Sequence, residues 1–179
     1  SSSAASDVYK RQVNRNVNKT VLANGFELKN FSSHRVFMWF GLGKQITLHT
    51  EGESFRNIAN SQYFTFRNYS LNGLNAKQSF RYLGKKQHSF EFGYRYNSSS
   101  NILGQEYVET KSIFGQIDLI FASKGSVMAK GEYVANDFTG SSNSAVAYEM
   151  MKGLQPGTNI TWDFSVKRRL STVFELEFG

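Results

Sequence analysis

The chain has 179 residues, a formal net charge of +7, 15% aromatic residues and a single proline. There is no cysteine, which excludes disulfides and thiolate metal sites. Lysine and arginine are scattered rather than clustered, which argues against a nucleic-acid groove, and no apolar run is long enough for a transmembrane helix. This length predicts one domain, and many aromatic residues beside one proline favour long β-strands.

Both ends of the sequence look artificial. Residues 1–12 read SSSAASDVYKRQ and resemble a translated library adapter, so we expect them to be unstructured. The chain also stops inside an alternating run at Gly179. Residues 13–179 are therefore expected to form one segment that is incomplete at both ends.

The first strand-like runs lie within residues 20–51. Residues 20–30 alternate modestly around an Asn24-Gly25 pair, and residues 35–42 are apolar on both faces. A tight turn is expected at 43–44, after which residues 45–51 alternate again. Each of the three runs predicts a β-strand.

The next part of the chain is less regular. Residues 52–61 are polar and rich in turn-forming residues, which predicts a long loop. Residues 62–82 contain no strong breaker except Asn72-Gly73. They predict either two strands joined there or one long strand with a bulge at the glycine. A short turn is expected at 84–86.

The clearest strand signal lies in residues 87–96, with the sequence QHSFEFGYRY. From Phe90 onward every second residue is aromatic, and the residues between are small or polar. Because side chains alternate between the two faces of a strand, one face of this segment carries the rings and the other is hydrophilic. The same alternation returns in residues 159–170.

Two further long strands are expected between these two segments. Residues 97–104 predict a loop, and residues 107–121 predict a strand in which Phe114 and Ile120 are exceptions on a mostly polar face. A turn at 123–125 then leads into a strand at 127–135.

The longest predicted connection covers residues 136–158. Within it, residues 144–153 (SAVAYEMMKG) predict a short helix with a serine cap and a glycine stop. Gln155-Pro156-Gly157 predicts a turn. A final hairpin of 159–170 and 172–178 brings the total to about nine strands.

Short and long connections alternate along the chain if residues 62–82 are one strand. A membrane β-barrel has short turns at its periplasmic end and long loops at its outer end, whereas a soluble Greek-key sandwich has no reason to sort its connections. The pattern therefore favours a barrel. The short turns are expected at 43, 84–86, 123–125 and 170–171, and the long loops at 52–61, 97–104 and 136–158.

Charged residues on the clearest strands share the face opposite the aromatic residues. In a barrel the charged face would line a polar lumen, and the aromatic face would contact lipid, with Tyr and Trp in an interfacial girdle. In a sandwich the charged face would simply meet water. The predicted lipid-facing and girdle residues are Phe90, Phe92, Tyr94, Tyr96, Ile117, Leu119, Tyr133, Trp162, Phe164 and Val166. The predicted lumen-facing polar residues are Glu91, Arg95, Asp118, Lys130, Glu132, Asp163, Lys167 and Arg169.

The sequence predicts no catalytic, cofactor or metal site. His34, His49 and His88 lie on separate segments without carboxylates at ligand spacing, so solvated or interfacial roles are favoured. It contains neither a glycine-rich phosphate loop nor a nucleophile elbow. We therefore expect no enzyme, no cofactor and no nucleic-acid partner.

A set of short motifs in the last third of the chain carries a family resemblance. The motifs are Gly131-Glu132-Tyr133-Val134, Asp137-Phe138, Ala147-Tyr148-Glu149-Met150, Gly153-Leu154-Gln155-Pro156-Gly157-Thr158-Asn159 and Thr161-Trp162. Together they resemble the C-terminal segment of large, mostly uncharacterised outer-membrane β-barrel proteins of bacteroidetes. The resemblance implies the cell outer membrane of a Gram-negative bacterium, a barrel architecture, and outer-membrane lipid and the barrel-assembly machinery as partners.

The leading hypothesis is that residues 13–179 form a single segment of an all-β, antiparallel, up-and-down membrane-type barrel, with one short helix in a long loop. Its role would be a membrane-embedded wall whose outer loops bind or gate. A soluble or surface-attached β-sandwich that binds a glycan-type ligand is the alternative, and it predicts two sheets packed on their aromatic faces. A secreted β-rich enzyme is a third reading, and it predicts a carboxylate pair converging in a cleft.

Overall fold

The computed structural model describes residues 8–22, 25–84, 88–121, 125–169 and 175–178, and their strands form one antiparallel sheet. The order of strands in the sheet follows the order in the chain, which confirms the predicted all-β, up-and-down topology with one short helix. Among the described residues no ladder joins β1 to β9, so the sheet is open. The strands are β1 (Val8–Leu22), β2 (Gly25–Leu42), β3 (Ile46–Ser61), β4 (Tyr69–Leu83), β5 (Ser89–Asn101), β6 (Tyr107–Phe121), β7 (Gly125–Thr139), β8 (Gly157–Arg169) and β9 (Glu175–Phe178), and the helix is α1 (Ala145–Met151).

Eight of the nine strands are unusually long. They contain between 13 residues, in β5 and β8, and 18 residues, in β2. Strands of globular proteins usually have about 5–6 residues. β9 is the short one, with 4 residues. The chain is therefore a meander of long ribbons, in agreement with the composition.

Residues 52–61 belong to β3, so the predicted loop there is wrong. β3 pairs with β2 through this whole segment and with β4 through residues 52–59. The strand signal is weak because polar side chains occupy both faces, with Glu53 on one face and Ser54 and Arg56 on the other. The true connection lies at residues 62–68 and contains a single 3-10 turn.

β4 begins at Tyr69 and passes through Gly73 in continuous register with β3. Neither prediction for residues 62–82 is therefore right, because there is no turn or bulge at the glycine and the first part of the range is a loop. Gly73 pairs with Phe55 of β3, and a Cβ at Gly73 would collide with the Phe55 ring. The glycine is needed for this close approach.

The N-terminal strands also differ from the expectation. β1 begins at Val8, so residues 8–12 belong to the sheet and are not unstructured, while residues 1–7 lie outside the described residues. The strand predicted at 20–30 is divided between β1 and β2. β2 then continues through the strand predicted at 35–42, because the polar stretch between the two runs also pairs with β3.

The later connections are shorter than predicted because the strands continue beyond their aromatic parts. β5 extends to Asn101, which reduces the loop predicted at 97–104 to residues 102–106. β7 and β8 likewise reduce the connection predicted at 136–158 to residues 140–156. Residues 85–87, 122–124 and 170–174, where three of the short turns were predicted, are outside the described residues.

The two longest connections lie at the same end of the sheet. The β3–β4 and β7–β8 connections, residues 62–68 and 140–156, share this end, which we call the loop end, with the β1–β2 and β5–β6 connections. The β2–β3, β4–β5 and β6–β7 connections lie at the opposite end, which we call the turn end. The predicted alternation of short and long connections is therefore seen only in part, because the β5–β6 connection, residues 102–106, is as short as the β4–β5 connection, residues 84–88, and the β1–β2 connection is short as well.

The predicted helix forms in the β7–β8 connection as α1. Ser144 is its N-cap, and the Ser144 Oγ accepts a hydrogen bond from the Ala147 amide at 3.0 Å. Lys152 and Gly153 end the helix in left-handed conformation, with φ of 55° and 78°. No helix in the described ranges combines the length and the apolar character of a membrane span.

The main hydrophobic cluster of the chain lies where α1 packs on the sheet near the loop end. Burial of a Val or Met side chain stabilises by about 1.5–3 kcal/mol, so the helix is firmly anchored. The cluster consists of Val146, Ala147, Met150 and Met151 from the helix and of Ala59, Tyr69, Leu71 and Val108 from the sheet, with Phe138 packed against it.

Candidate functional site: the two faces of the sheet

One face of the sheet is apolar and uncovered toward the turn end, and we call it the aromatic face. The strand register places Phe80, Phe92 and Trp162 in one row across it. Trp162 is 80% exposed and Phe92 is 62% exposed, so no second layer of the described chain packs against them. The opposite face carries the charged residues and α1, and we call it the polar face.

All residues predicted to face lipid lie on the aromatic face. Their positions follow from the register. Odd-numbered positions of β6 pair with even-numbered positions of β5 and with odd-numbered positions of β7, and these odd-numbered positions of β7 pair with even-numbered positions of β8. Tyr94 and Tyr133 lie in the last apolar row before the loop end, and Tyr96 lies in the following row beside Lys111. Beyond them the same face becomes polar, beginning with Ser98. The three tyrosines therefore mark a boundary between an apolar and a polar zone.

The residues predicted to face the lumen, apart from Arg169, lie on the polar face, which also follows from the register. The side chain of Arg169 is outside the described residues. Three of the predicted residues meet directly: the Arg95 Nη1 and the Lys130 Nζ lie 2.8 and 3.3 Å from the Glu132 Oε2. Glu91 pairs with Lys77 at 2.7 Å, a partner that the sequence did not indicate.

Phe114 is the aromatic residue of β6 that lies on the polar face, and it supports these charges. Its side chain is 2% exposed and lies against Gly93, its neighbour on β5. The Arg95 guanidinium carbon lies 4.2 Å from the centroid of the ring, and the Lys77 Nζ lies 4.9 Å from it. Cations over a ring face are attracted by its quadrupole. Phe114, which interrupts the alternating pattern, therefore attracts two cations to its ring.

A row of neutral polar side chains crosses the polar face on the loop-end side of these ion pairs. Asn75, Asn97, Thr110 and Asn136 pair in succession across β4, β5, β6 and β7, and we call them the amide row. The Asn97 Nδ2 donates a hydrogen bond to the Asn75 Oδ1, and the Thr110 Oγ1 donates to the Asn136 Oδ1 at 2.8 Å. At one end, the Asn75 Nδ2 donates to the Glu53 Oε2 at 2.9 Å.

The segment after α1 is fixed to the polar face by two asparagines. The Asn136 Nδ2 and the Asn159 Nδ2 both donate to the Gln155 carbonyl, at 3.2 and 2.8 Å. The Gln155 amide in turn donates to the Asn159 Oδ1 at 3.2 Å. Gly157 then starts β8 with a φ of 90°, which favours glycine. At the turn predicted for Gln155-Pro156-Gly157, the chain bends at Pro156, and Gly157 already belongs to β8.

A cavity of about 420 Å³ lies between α1 and the polar face. The amide row forms part of its floor, and Met150, Met151 and Leu154 line the opposite side. Its lining includes three carboxylates and three cations, which are Glu51, Glu53, Glu132, Lys77, Arg95 and Lys152. The cavity is therefore polar on the side of the sheet and apolar on the side of the helix, and the charges of its lining residues sum to zero.

The three histidines do not come together. His34 is exposed, and the His88 Nδ1 accepts a hydrogen bond from the Ile120 amide at 3.1 Å. His49 is partly buried on the polar face, where its ring centroid lies 5.1 Å from that of Trp39. In the described part of the chain, no cluster of His, Asp and Glu has the size needed to hold a metal ion.

Two carboxylates do converge beside the cavity, as an enzyme reading would require. The Arg35 Nε lies 3.3 Å from the Glu51 Oε1, and the Arg35 Nη2 lies 2.8 Å from the Glu53 Oε1. Both carboxylates are held by one guanidinium, which positions them as an ion-pair network. Sequence reasoning missed Glu53 because it lies in the segment that was predicted to be a loop.

Comparison with protein-family models, with curated proteins and with solved structures gives no match. The features of the chain that bear on its function are therefore the two faces of the sheet and the helix α1 in the β7–β8 connection.

Proposed function

We propose that the chain forms part of the wall of an outer-membrane β-barrel in a Gram-negative cell. The aromatic face would contact outer-membrane lipid, and the polar face with α1 would face an aqueous interior. The role is structural rather than catalytic. The proposal includes insertion of the strands into the membrane by the barrel-assembly machinery. The resemblance of the motifs in the last third of the chain to outer-membrane β-barrel proteins supports it.

The observation that carries the proposal is the exposed apolar zone on the aromatic face. On β6 this zone extends from Ile113 to Phe121, which is about 26 Å along the strand at about 3.3 Å per residue. A barrel strand is tilted by about 40°, so the zone would span about 20 Å of a hydrocarbon band that is about 25 Å thick. In water the same zone would be a large exposed apolar patch, which soluble monomers avoid.

The position of the tyrosines and the shared end of the two longest connections also favour this role. Tyr94, Tyr96 and Tyr133 lie where the apolar zone ends, and amphipathic rings prefer the membrane–water interface. The long loops beyond them would form the outer end, and the short turns would face the periplasm. The sandwich alternative would need a second sheet on the aromatic face, and the described residues contain a single sheet.

The two tryptophans of the chain provide a direct test, since Trp162 lies on the aromatic face and Trp39 on the polar face. The chain is refolded into vesicles of phosphatidylcholine with brominated acyl chains, which quench fluorescence on contact. We expect strong quenching in Trp39→Phe, which retains Trp162, and weak quenching in Trp162→Phe. Equal and weak quenching in both variants, or a monodisperse chain in detergent-free buffer, would contradict the proposal.

A further inference from the structure

The cavity between α1 and the polar face has the size of a small-molecule site. Its volume of about 420 Å³ lies within the range of about 300–1,000 Å³ that such sites occupy. The buried side chains of α1 belong to a hydrophobic cluster with Leu71 and Val108, and two of them, Met150 and Met151, also line the space. The space is left between the helix and the amide row.

The amide row offers hydrogen-bonding capacity that its own contacts do not use up. Each asparagine amide has two N–H donors and a carbonyl acceptor. The hydrogen bonds described above engage one of these groups at Asn97 and two each at Asn75 and Asn136. A ligand that both donates and accepts hydrogen bonds, as a hydroxyl group does, matches such a surface.

Five of the six charged side chains that line the cavity are held in ion pairs. Arg95 is bound to Glu132, Lys77 to Glu91, and both Glu51 and Glu53 to Arg35. Lys152 has no ion pair among the described residues, and it is exposed to solvent. A ligand with a net charge would have to break one of these pairs or enter a site that offers no net attraction. The charge balance therefore favours an uncharged ligand.

The side of the cavity opposite the amide row is apolar and adaptable. Met150 and Met151 line it with thioether side chains, which fit irregular shapes because they are flexible and polarisable. A polar floor below an apolar cover suits a ligand that has hydroxyl groups at its edge and C–H groups on its face.

We infer that this cavity binds an uncharged, hydroxyl-rich solute of the chemical class of small saccharides. The inference deepens the proposed function and rests on it, because a lumen is the way such a solute would reach the polar face. The amide row would hold the hydroxyl groups, and Met150 and Met151 would cover the ring.

Isothermal titration calorimetry on the full chain, refolded in detergent micelles, tests the inference. The probes share one ring: glucose and maltose are uncharged, glucose 6-phosphate is anionic and protonated glucosamine is cationic. We expect binding of an uncharged probe and at least about tenfold weaker binding of both charged ones, which corresponds to about 1.4 kcal/mol. No binding of glucose or maltose, or tighter binding of a charged probe, would overturn the inference.

Variants of the amide row supply the second readout. Asn97→Leu is expected to weaken binding of the uncharged probe by about tenfold. The matched control is Asn72→Leu, because Asn72 lies on β4 with its side chain on the opposite face, and it should bind as the wild type does. If Asn97→Leu does not fold, as judged by circular dichroism, Thr110→Val replaces it. Unchanged binding in the folded variant would overturn the inference.

The same preparations separate this inference from the proposed function. Trp162 quenching in brominated vesicles reports whether the aromatic face contacts lipid, independently of any solute. Quenching without saccharide binding would overturn the inference about the ligand and support the proposed role in a barrel wall. Saccharide binding without quenching would support the cavity and contradict the membrane role.

Discussion

Arg95 on β5 reaches across β6 to Glu132 on β7, and the Arg95 Nη1 lies 2.8 Å from the Glu132 Oε2. The guanidinium passes over the ring of Phe114, the β6 residue that pairs with Glu132 in the register. The Ser112 hydroxyl, also on β6, donates to the Glu132 Oε1 at 2.7 Å. One carboxylate therefore connects three consecutive strands, at a point where its side chain is only 12% exposed.

Removal of the Arg95 guanidinium is expected to destabilise the sheet. Because Glu132 would keep Ser112 and Lys130 but lose the Arg95 Nη1, which donates to both of its carboxylate oxygens, we expect Arg95→Met to lower the free energy of unfolding by about 1–3 kcal/mol. The measurement is urea unfolding in micelles, followed by tryptophan fluorescence. Lys111→Met is the control, since Lys111 pairs with Glu109 on the aromatic face and is largely exposed. A similar loss in both variants would contradict the special role of Arg95.

Gly93 is expected to tolerate no side chain, because the Phe114 ring occupies the space beside it. A Cβ at Gly93 would lie 2.7 Å from the Phe114 Cε1 and 2.6 Å from the Gln78 carbonyl oxygen, which belongs to the backbone. We expect Gly93→Ala to lower the free energy of unfolding by about 1–3 kcal/mol. Gly115→Ala is the matched control, since its Cβ would meet nothing within 4 Å, and it should be neutral or slightly stabilising. An equal change in the free energy of unfolding in Gly93→Ala and Gly115→Ala would show that the Phe114 ring moves aside at little cost.

The face of Arg95 and Glu132 could be predicted from the sequence, but their contact could not. Alternation along a strand assigns a side chain to a face, and this worked because the aromatic residues mark the other face clearly. The contact depends on a gap at Gly93 that lets Phe114 lie low enough for an arginine to pass above it. Such a gap arises from the register of neighbouring strands, which a single strand does not encode.

The amide row was missed for a different reason. Asn75 and Asn97 lie where the aromatic alternation ends and polar residues occupy both faces of the strands, so the period of two disappears from the sequence. The same change hid the second half of β3, including Glu53. The helix was predicted well because its signals are local: a serine cap, an apolar stripe and a glycine stop. Its position over the amide row depends on long-range packing.

Labelling of single cysteines is expected to show α1 packed on the polar face. The chain has no cysteine, so Met150→Cys and Tyr148→Cys each introduce a unique thiol. Met150 is 4% exposed and Tyr148 is 69% exposed, so a maleimide should react at least about tenfold more slowly at position 150. Equal rates in the refolded chain would mean that the helix does not rest on the sheet.

Loss of the helix cap is expected to increase the labelling at position 150. The Ser144 Oγ accepts the hydrogen bond of the Ala147 amide, and loss of an N-cap costs about 0.5–2 kcal/mol. Ser144→Ala in the Met150→Cys background should therefore raise the maleimide rate by about 2- to 30-fold, because the helix opens more often. Ser141→Ala, four positions before the helix, is the control and should leave the rate unchanged. An unchanged rate in Ser144→Ala would show that side-chain packing alone holds α1.

Two adjacent residues of β6 are expected to respond in opposite ways to a new lysine in a bilayer. Ile117 lies on the aromatic face and Gln116 on the polar face, where the Gln116 Nε2 donates to the Asp118 carboxylate at 3.1 Å. Ile117→Lys would place an ammonium in hydrocarbon, so we expect a loss of about 2–4 kcal/mol in the free energy of unfolding from vesicles. Gln116→Lys would place the same charge beside Asp118 in a wet interior and should cost far less. The measurement is reversible unfolding in urea, with Ile117→Leu as a control for the change of shape. A larger loss at 116 than at 117 would mean that the polar face is the one in contact with lipid.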